Sequence, residues 1–436
     1  MIAEVDNGSR CGIAKAPPSK SYAHRLLIAA ALSDREVKVG SCGHSDDIGA
    51  TIDCLRQLGA GILRLEDGSA LVRPIEREKS FSRKTRDGNI ILRCGESGST
   101  LRFLIPVAGA LGKEATFEME GRLPERPVGD YARALENGGM KIVKEGNCLK
   151  CSGRLRPGEY VIPGNVSSQF VSGLLFALPL LKGSSRITVT GKMQSEGYAD
   201  MTAGVIRTFG IGVAKTGEGY LLENTEGYKA PDIKLVTEED WSGAAFLLAA
   251  GAFSQKGITV TGLNKSSVQG DRRIVEILER FGANVTTCEN RITVKRGDLK
   301  GIVIDAGEIP DLVPALAVTA CGAEGETRIV NAARLRFKET DRIKTTVSLI
   351  NSLGGIANET EDGLVVKGAE KTGGLRGGKC DSFSDHRIAM SAALSACIAK
   401  EKVVISGAEC VSKSFPDFFE VFGGLEKEIR AGDQNG

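Results

Sequence analysis

Apolar and polar positions along the chain alternate between two registers. Stretches with apolar residues three and four apart read as amphipathic helices. Each is followed by a glycine, then by two short runs of alternating apolar and polar residues that read as a β-hairpin. The glycines that close the helical stretches are Gly59, Gly139, Gly210, Gly282 and Gly354, and a sixth stretch begins at Phe418 and reaches Gly423 near the end of the chain. Glycine suits these positions because it readily takes the left-handed conformation that ends a helix. Turn pairs such as Asp67-Gly68, Gly146-Asn147 and Glu289-Asn290 separate the strands. A motif recurring every ~70–80 residues is the mark of a repeat architecture.

A second, more apolar helix precedes each of these stretches. The pattern predicts such helices over Ser19–Leu32, Gly98–Leu111, Ser168–Leu181, Ser242–Ala252, Pro310–Cys321 and Asp385–Ala399. A helix that is apolar on all sides is usually buried. Each unit then reads β-α-β-α-β-β. The sixth lacks its closing hairpin, while the chain opens with a spare one, Ile2–Val5 and Cys11–Ala14 around a turn at Asp6–Ser9. That hairpin is expected to complete the sixth unit. The fold class that follows is α/β: six pseudo-repeats in two domains of three units, with helices inside and sheets outside, an inside-out α/β barrel. The first domain is expected over residues 18–228, and the second over 1–17 with 229–436. The crossovers would be Ala16-Pro17-Pro18 and Lys229-Ala230-Pro231-Asp232, and both contain proline, as linkers often do.

Composition narrows the function. Aromatic residues are 5% of the 436, so the cores must be aliphatic. Lys and Arg number 57 against 55 Asp and Glu, without the basic excess that nucleic-acid or membrane-surface binding usually needs. The 11 cysteines are odd in number and scattered, which suits a reducing cytoplasm better than a disulfide framework. Cys148 and Cys151 lie three apart in a predicted strand and so face opposite ways, unlike converging metal ligands. Apolar runs such as Phe246–Ala252 are too short to span a membrane. No basic-then-apolar leader precedes the first strand. Gly373–Cys380 approaches a phosphate-binding loop, but Cys380 replaces the required hydroxyl and no helix follows. His24, His44 and His386 lack metal-site spacing, and no Gly-x-Ser-x-Gly elbow occurs at a strand end.

Polar residues gather instead where the apolar helices begin: Ser19-Lys20-Ser21, Gly95–Ser99, Ser167-Ser168-Gln169, Glu239–Ser242, Ile309-Pro310-Asp311 and Ser384–Arg387. Ser and Asp there are ordinary helix caps. Lys20, Arg25 and Arg387 are not, because a cation near a helix N-terminus opposes the dipole. An anion bound at the same place would offset that cost. Further cations lie in loops: Arg126, Lys413, and Lys338 with Arg342, among which Glu339 and Asp341 are interleaved. These residues point to small, multiply anionic substrates.

Taken together, the motifs resemble those of the EPSP synthase (3-phosphoshikimate 1-carboxyvinyltransferase) family. Pro18–Arg25 is similar to that family's opening, and Gly95–Arg102 to its Gly-Asn-[Ala/Ser]-Gly-Thr-x-x-Arg segment. Glu125-Arg126-Pro127, Ser167–Gln169, Ile309–Asp311, Lys338–Arg342, Asp385–Arg387 and Lys413–Pro416 follow in the family's order. Glu96 stands where the family usually has Asn, and Arg334 where Asn is frequent. The segment Gly121–Arg126 is shorter than the enterobacterial and plant form.

The resemblance implies transfer of enolpyruvyl from phosphoenolpyruvate to the 5-hydroxyl of shikimate 3-phosphate, with no cofactor and no metal. Lys20, Arg126, Arg342, Arg387 and Lys413 would hold phosphoenolpyruvate, with Gly98 letting the backbone approach it. Ser21, Arg25, Ser167, Ser168, Ser195 and Lys338 would hold shikimate 3-phosphate, and Gln169 would sit between the two. Asp311 is the expected base and Glu339 the expected acid, although free carboxyls titrate near ~4. Lys20 would stabilise developing charge and shuttle a proton. Because these residues come from both halves, the site is expected in a cleft between domains that closes on substrate, within a cytoplasmic monomer. Two alternatives stand beside this reading. The sister transfer to UDP-N-acetylglucosamine usually goes with a Lys-Asn pair near the start and a reactive loop cysteine, but here Ser21 follows Lys20 and the nearest cysteines are Cys94 and Cys148. A non-catalytic anion-binding relative would not need Asp311 and Glu339.

Overall fold

The computed structural model describes residues 1–76, 90–223, 226–368 and 374–428. It contains twelve α-helices among the described residues: α1 Lys20–Leu32, α2 Asp46–Gln57, α3 Gly98–Ala110, α4 Gly129–Asn137, α5 Ser168–Ala177, α6 Glu196–Thr208, α7 Trp241–Gly251, α8 Ile274–Phe281, α9 Val313–Cys321, α10 Arg342–Ser352, α11 His386–Ser395 and α12 Phe418–Gly423. The odd-numbered helices are the predicted apolar ones and are buried on nearly every residue; the even-numbered helices bury one face. The last apolar helix is shorter than expected, since residues 396–399 form turns after Ser395. Gly59, Gly139, Gly210, Gly282 and Gly354 all have positive φ, as helix-ending glycines should. Gly423 does not, and lies inside α12.

Three of the sheets repeat one plan. The strand before a buried helix pairs in parallel with the strand after it, and the hairpin then adds two antiparallel strands. Glu159–Pro163, Ser185–Thr190, Gly219–Leu222 and Val213–Thr216 show it in spatial order. The sheets stay open, and none closes into a barrel among the described residues. In each unit the chain turns left-handed one or two residues past the end of the strand that follows the buried helix, at Ser41, Gly121, Gly191, Gly262, Asn331 and Gly407. At Gly121 the turn also has no room for a side chain: a Cβ would lie 2.1 Å from Glu96 Oε1.

The chain divides into two compact units, Pro18–Glu238 and Met1–Pro17 with Glu239–Gly436. Each has its own aliphatic core around three buried helices. The second passage lies beyond the expected Lys229–Asp232. The cause is strand exchange: Leu235–Val236, which precedes α7 in sequence, pairs in parallel with Val39–Gly40 after α1. Reciprocally Arg10–Lys15, which precedes α1, pairs in parallel with Ile258–Thr261 after α7. The expected N-terminal hairpin is therefore corrected. Ile2–Val5 completes the sixth sheet by pairing with Val403–Ser406, whereas Arg10–Lys15 joins the fourth unit's sheet and the terminal strand Glu426–Lys427.

Within Pro18–Glu238, α3 and α5 meet closely at Gly173, where a Cβ would lie 2.3 Å from both the Arg102 carbonyl oxygen and the Tyr131 hydroxyl. Overpacking of that kind typically costs about 1–3 kcal/mol. Gly173→Ala is therefore expected to lower unfolding stability by at least about 2 kcal/mol in urea denaturation, with an unchanged denaturant slope.

Candidate active site

In Pro18–Glu238 the expected residues lie at the starts of the buried helices. Ser19 caps α1, placing Lys20 as its first residue, and Lys20 Nζ meets Asp47 Oδ2 at 2.7 Å. Gly98 is the first residue of α3, and its open side faces side chains from two other segments. A Cβ built there would lie 3.1 Å from Arg126 NH1, 3.3 Å from Arg102 NH1 and 3.4 Å from Gln169 Oε1. Arg102 NH1 donates to Gln169 Oε1 at 2.7 Å, and Gln169 Nε2 donates to Ser99 Oγ at 3.0 Å. Two guanidinium groups and an amide thus surround a helix N-terminus, a charge pattern made for an anion. Ser167 caps α5 through the Gln169 N–H, and Ser168 follows it, buried. Ser195 precedes α6 with φ of 53°, a strained conformation for a non-glycine residue.

Arg25 is placed differently. It is buried, with Nε on Thr202 Oγ1 at 2.7 Å, NH1 on the Ser21 carbonyl at 2.8 Å, and NH2 on the Tyr198 carbonyl at 2.8 Å and Ser172 Oγ at 3.3 Å. Its guanidinium also lies over the Phe103 ring. Burial pushes its pKa down to about 10, so it stays charged. Of five donor hydrogens, one on NH1 is left and the other stays within α1; those on Nε and NH2 tie α1 to α5 and α6.

In the other unit a single guanidinium organises the site. Arg342 opens α10 and is 1% exposed. Its NH1 donates to Asp311 Oδ1 at 2.7 Å and its NH2 to Glu339 Oε2 at 2.7 Å, while Nε and NH2 hold the two oxygens of Asp385 at 2.7 and 3.2 Å. Asp385 is also the N-cap of α11, accepting from the Arg387 N–H, and takes a further bond from Thr340 Oγ1. Asp311, in the 3-10 turn Pro310–Leu312, faces Lys338 Nζ at 3.4 Å and Arg387 NH2 at 3.8 Å. Burial alone would raise the Asp311 pKa, but Lys338, Arg387 and Arg342 outweigh it and hold the carboxyl well below its usual range. Burial lowers the Lys338 pKa, and Asp311 partly restores it. Arg387 Nε and NH1 are buried with no hydrogen-bond partner among the described residues. Lys413 is buried at the end of the turn Ala408–Lys413.

A sequence profile described as EPSP synthase (3-phosphoshikimate 1-carboxyvinyltransferase) matches residues 8–422. The chain belongs to the EPSP synthase family. A 3-phosphoshikimate 1-carboxyvinyltransferase of Clostridium kluyveri is 42% identical over 421 residues, covering 96% of each chain. One from Clostridium acetobutylicum is 41% identical over 413 residues, covering 94% of this chain and 93% of that one. Among solved structures, an EPSP synthase from Acinetobacter baumannii superposes with a TM-score of 0.80 at 25% identity, over 98% of this chain and 99% of that one. The enolpyruvyl transferase NikO from Streptomyces tendae shares the fold, with a TM-score of 0.77 at 16% identity over 98% of each chain.

With membership of the EPSP synthase family established, the expected residues sort into four sets. Gly98, Arg126 and Gln169 converge in one unit; Asp311, Lys338, Glu339, Arg342 and Arg387 converge in the other. Arg25 is turned inward. Lys20, Ser21, Ser167, Ser168, Ser195 and Lys413 stand at helix starts or turns. Sequence reasoning missed Asp47, Arg102 and Asp385 as neighbours of these residues. Arg102 and Asp385 lie inside the quoted motifs, and their placement at helix starts was the available signal. Asp47 joins through a contact distant in sequence. Of the departures, Glu96 packs against the Gly121 turn, and Arg334 NH2 donates to the Gly307 carbonyl at 2.7 Å.

Removing the Arg342 charge would take from Asp311, Glu339 and Asp385 the buried cation they share. Breaking a buried ion pair on one side typically costs about 3–5 kcal/mol. Arg342→Gln is expected to lose stability of that order at neutral pH. The loss should shrink as pH falls: the depressed Asp311 pKa contributes stability above the ordinary carboxylate range that fades only as pH drops through its folded value. Chemical denaturation at pH 7 and in steps well below pH 4 checks both.

Proposed function

We propose that the chain transfers the enolpyruvyl group of phosphoenolpyruvate to the 5-hydroxyl of shikimate 3-phosphate, using Asp311 as base and Glu339 as acid. The observation that carries the reading is that both carboxylates share one buried guanidinium, with Lys338 and Arg387 beside them. An anion-binding site would need the cations alone. Here acids and cations are held in one cluster, which suits chemistry on an anion.

The reaction adds the hydroxyl oxygen to C2 of phosphoenolpyruvate while C3 gains a proton. The tetrahedral adduct then loses a C3 proton as the C2–O bond to phosphate breaks, with that electron pair leaving on phosphate. Asp311 takes the hydroxyl proton, and Glu339 serves the proton at C3. A carboxylate gripped by three cations is a weak base. The substrates correct this, because phosphate and carboxylate groups compete for Lys338 and Arg387, and each cation drawn away restores basicity to Asp311. Arg342 holds both side chains in place and keeps one NH1 hydrogen for a substrate oxygen.

The second anion-binding group, Gly98 with Arg126, Arg102 and Gln169, holds the remaining charge of phosphoenolpyruvate. Lys20, Ser21, Ser167, Ser168 and Ser195 serve shikimate 3-phosphate and the developing charge. Arg25 acts mainly by fixing α1 against α5 and α6. All eleven cysteines are free, which supports a reducing, cytoplasmic setting.

Phosphate release from phosphoenolpyruvate tests the roles. It should require shikimate 3-phosphate. Acid–base groups contribute about 10²–10⁴-fold, so Glu339→Gln and Asp311→Asn should each cut kcat by at least about 10²-fold, with smaller changes in KM. Arg126→Ala, in the other unit, should mainly raise KM for phosphoenolpyruvate. Full turnover by Glu339→Gln would contradict the assigned acid.

A further inference from the structure

Beneath the Asp311 cluster lies a carboxyl that the reaction above does not use. Asp271 sits in the 3-10 turn Gly270–Arg273 that leads into α8, and is 1% exposed. Its turn is clamped to the start of α7: Gln269 Oε1 accepts from the Trp241 N–H, and Gln269 Nε2 donates to the Glu239 carbonyl. Ser242 Oγ, in the first turn of α7, donates to Asp271 Oδ2. Asp271 Oδ1 has no hydrogen-bond partner, and no Lys or Arg forms an ion pair with Asp271 among the described residues. The charged groups that act on it are Asp311 from the turn before α9, Arg387 from α11, and Asp240 at the cap of α7.

A buried carboxyl with one hydroxyl partner, no ion pair and two neighbouring carboxylates is poorly placed to carry charge. Burial, with Asp311 next in weight, pushes its pKa up to about 7, opposed by the Ser242 bond and by Arg387. The cation that favours its ionised form, Arg387, is the one whose Nε and NH1 have no protein partner. An anion bound by Arg387 would offset that cation's field and add negative charge nearby. Both effects favour protonated Asp271.

We propose that Asp271 is a proton-holding positioning residue, taking up a proton when an anion engages Arg387 and releasing it when the anion leaves. The site would then admit a phosphate or carboxylate without accumulating the full added charge. Anion affinity would weaken as pH rises through neutrality. The proposal rests on the reading of Arg387 as an anion ligand.

Calorimetric titration of inorganic phosphate into the enzyme saturated with shikimate 3-phosphate tests it without turnover. Run at pH 7.5 in two buffers of different ionisation enthalpy, it counts the protons exchanged. Wild type should take up roughly half a proton more than Asp271→Asn, whose phosphate affinity should also lose its fall between pH 6.5 and 8.5. Ser242→Ala, which removes a bond favouring the ionised form, should move the uptake to higher pH and keeps the test open if Asp271→Asn does not fold. Phosphate binding with equal proton exchange in wild type and Asp271→Asn, or no shift in Ser242→Ala, overturns the proposal and leaves the Arg387 reading standing. Absence of phosphate binding overturns both.

Discussion

The buried guanidinium of Arg342 is the interaction on which the unit carrying the carboxylates depends. A charge taken out of water is costly unless opposite charges and hydrogen bonds surround it. Arg342 meets that demand by drawing Asp311, Glu339 and Asp385 around one planar fork. These three come from a turn before α9, the loop before α10 and the cap of α11. The same bonds that satisfy the charge therefore fix where three segments begin. Asp385 adds a second constraint, because it caps α11 as it binds Arg342 and so sets the direction from which Arg387 projects.

This arrangement explains why a cluster rich in cations can stay folded without substrate. The protein's own carboxylates satisfy Arg342 and stand beside Lys338 and Arg387, and on the proposed reading substrate anions compete with them. In the proposed mechanism, binding and activation of the base become one event: the charges that would recognise the substrate are those that suppress Asp311 in its absence. In the other unit the same logic appears in weaker form. Lys20 is held by Asp47, while the start of α3 collects Arg102, Arg126 and Gln169 around a glycine whose missing side chain keeps the approach open.

The repeat was legible because its signals are local. Helical periodicity and a closing glycine recur in every unit and a hairpin turn in five, and five of the six glycines have the left-handed conformation that the pattern demands. The strand exchange was not legible. Leu235–Val236 is two residues long, too short for any alternation to show, and its partner is chosen by which edge the fold leaves unpaired. For the same reason the N-terminal hairpin was misread: two adjacent strands suggest pairing with each other, but each found an edge far along the chain. In the site, the placement of acids and cations at helix starts was readable as anion chemistry. The inward turn of Arg25 was not, because its partners Thr202, Ser172 and Tyr198 are remote in sequence. Asp271 was hidden likewise, since Gly270-Asp271 reads as an ordinary turn until α7 packs over it.

The central claim is that substrate anions free Asp311 from its cations. The direct measurement is the Asp311 pKa by carbon-13 NMR, on enzyme labelled at its aspartate carboxyl carbons and assigned with Asp311→Asn, with and without shikimate 3-phosphate. The account predicts a value well below the usual carboxylate range in the free enzyme and an upward move of about one pH unit or more on binding. A value that stays where it was, or falls further, would contradict it.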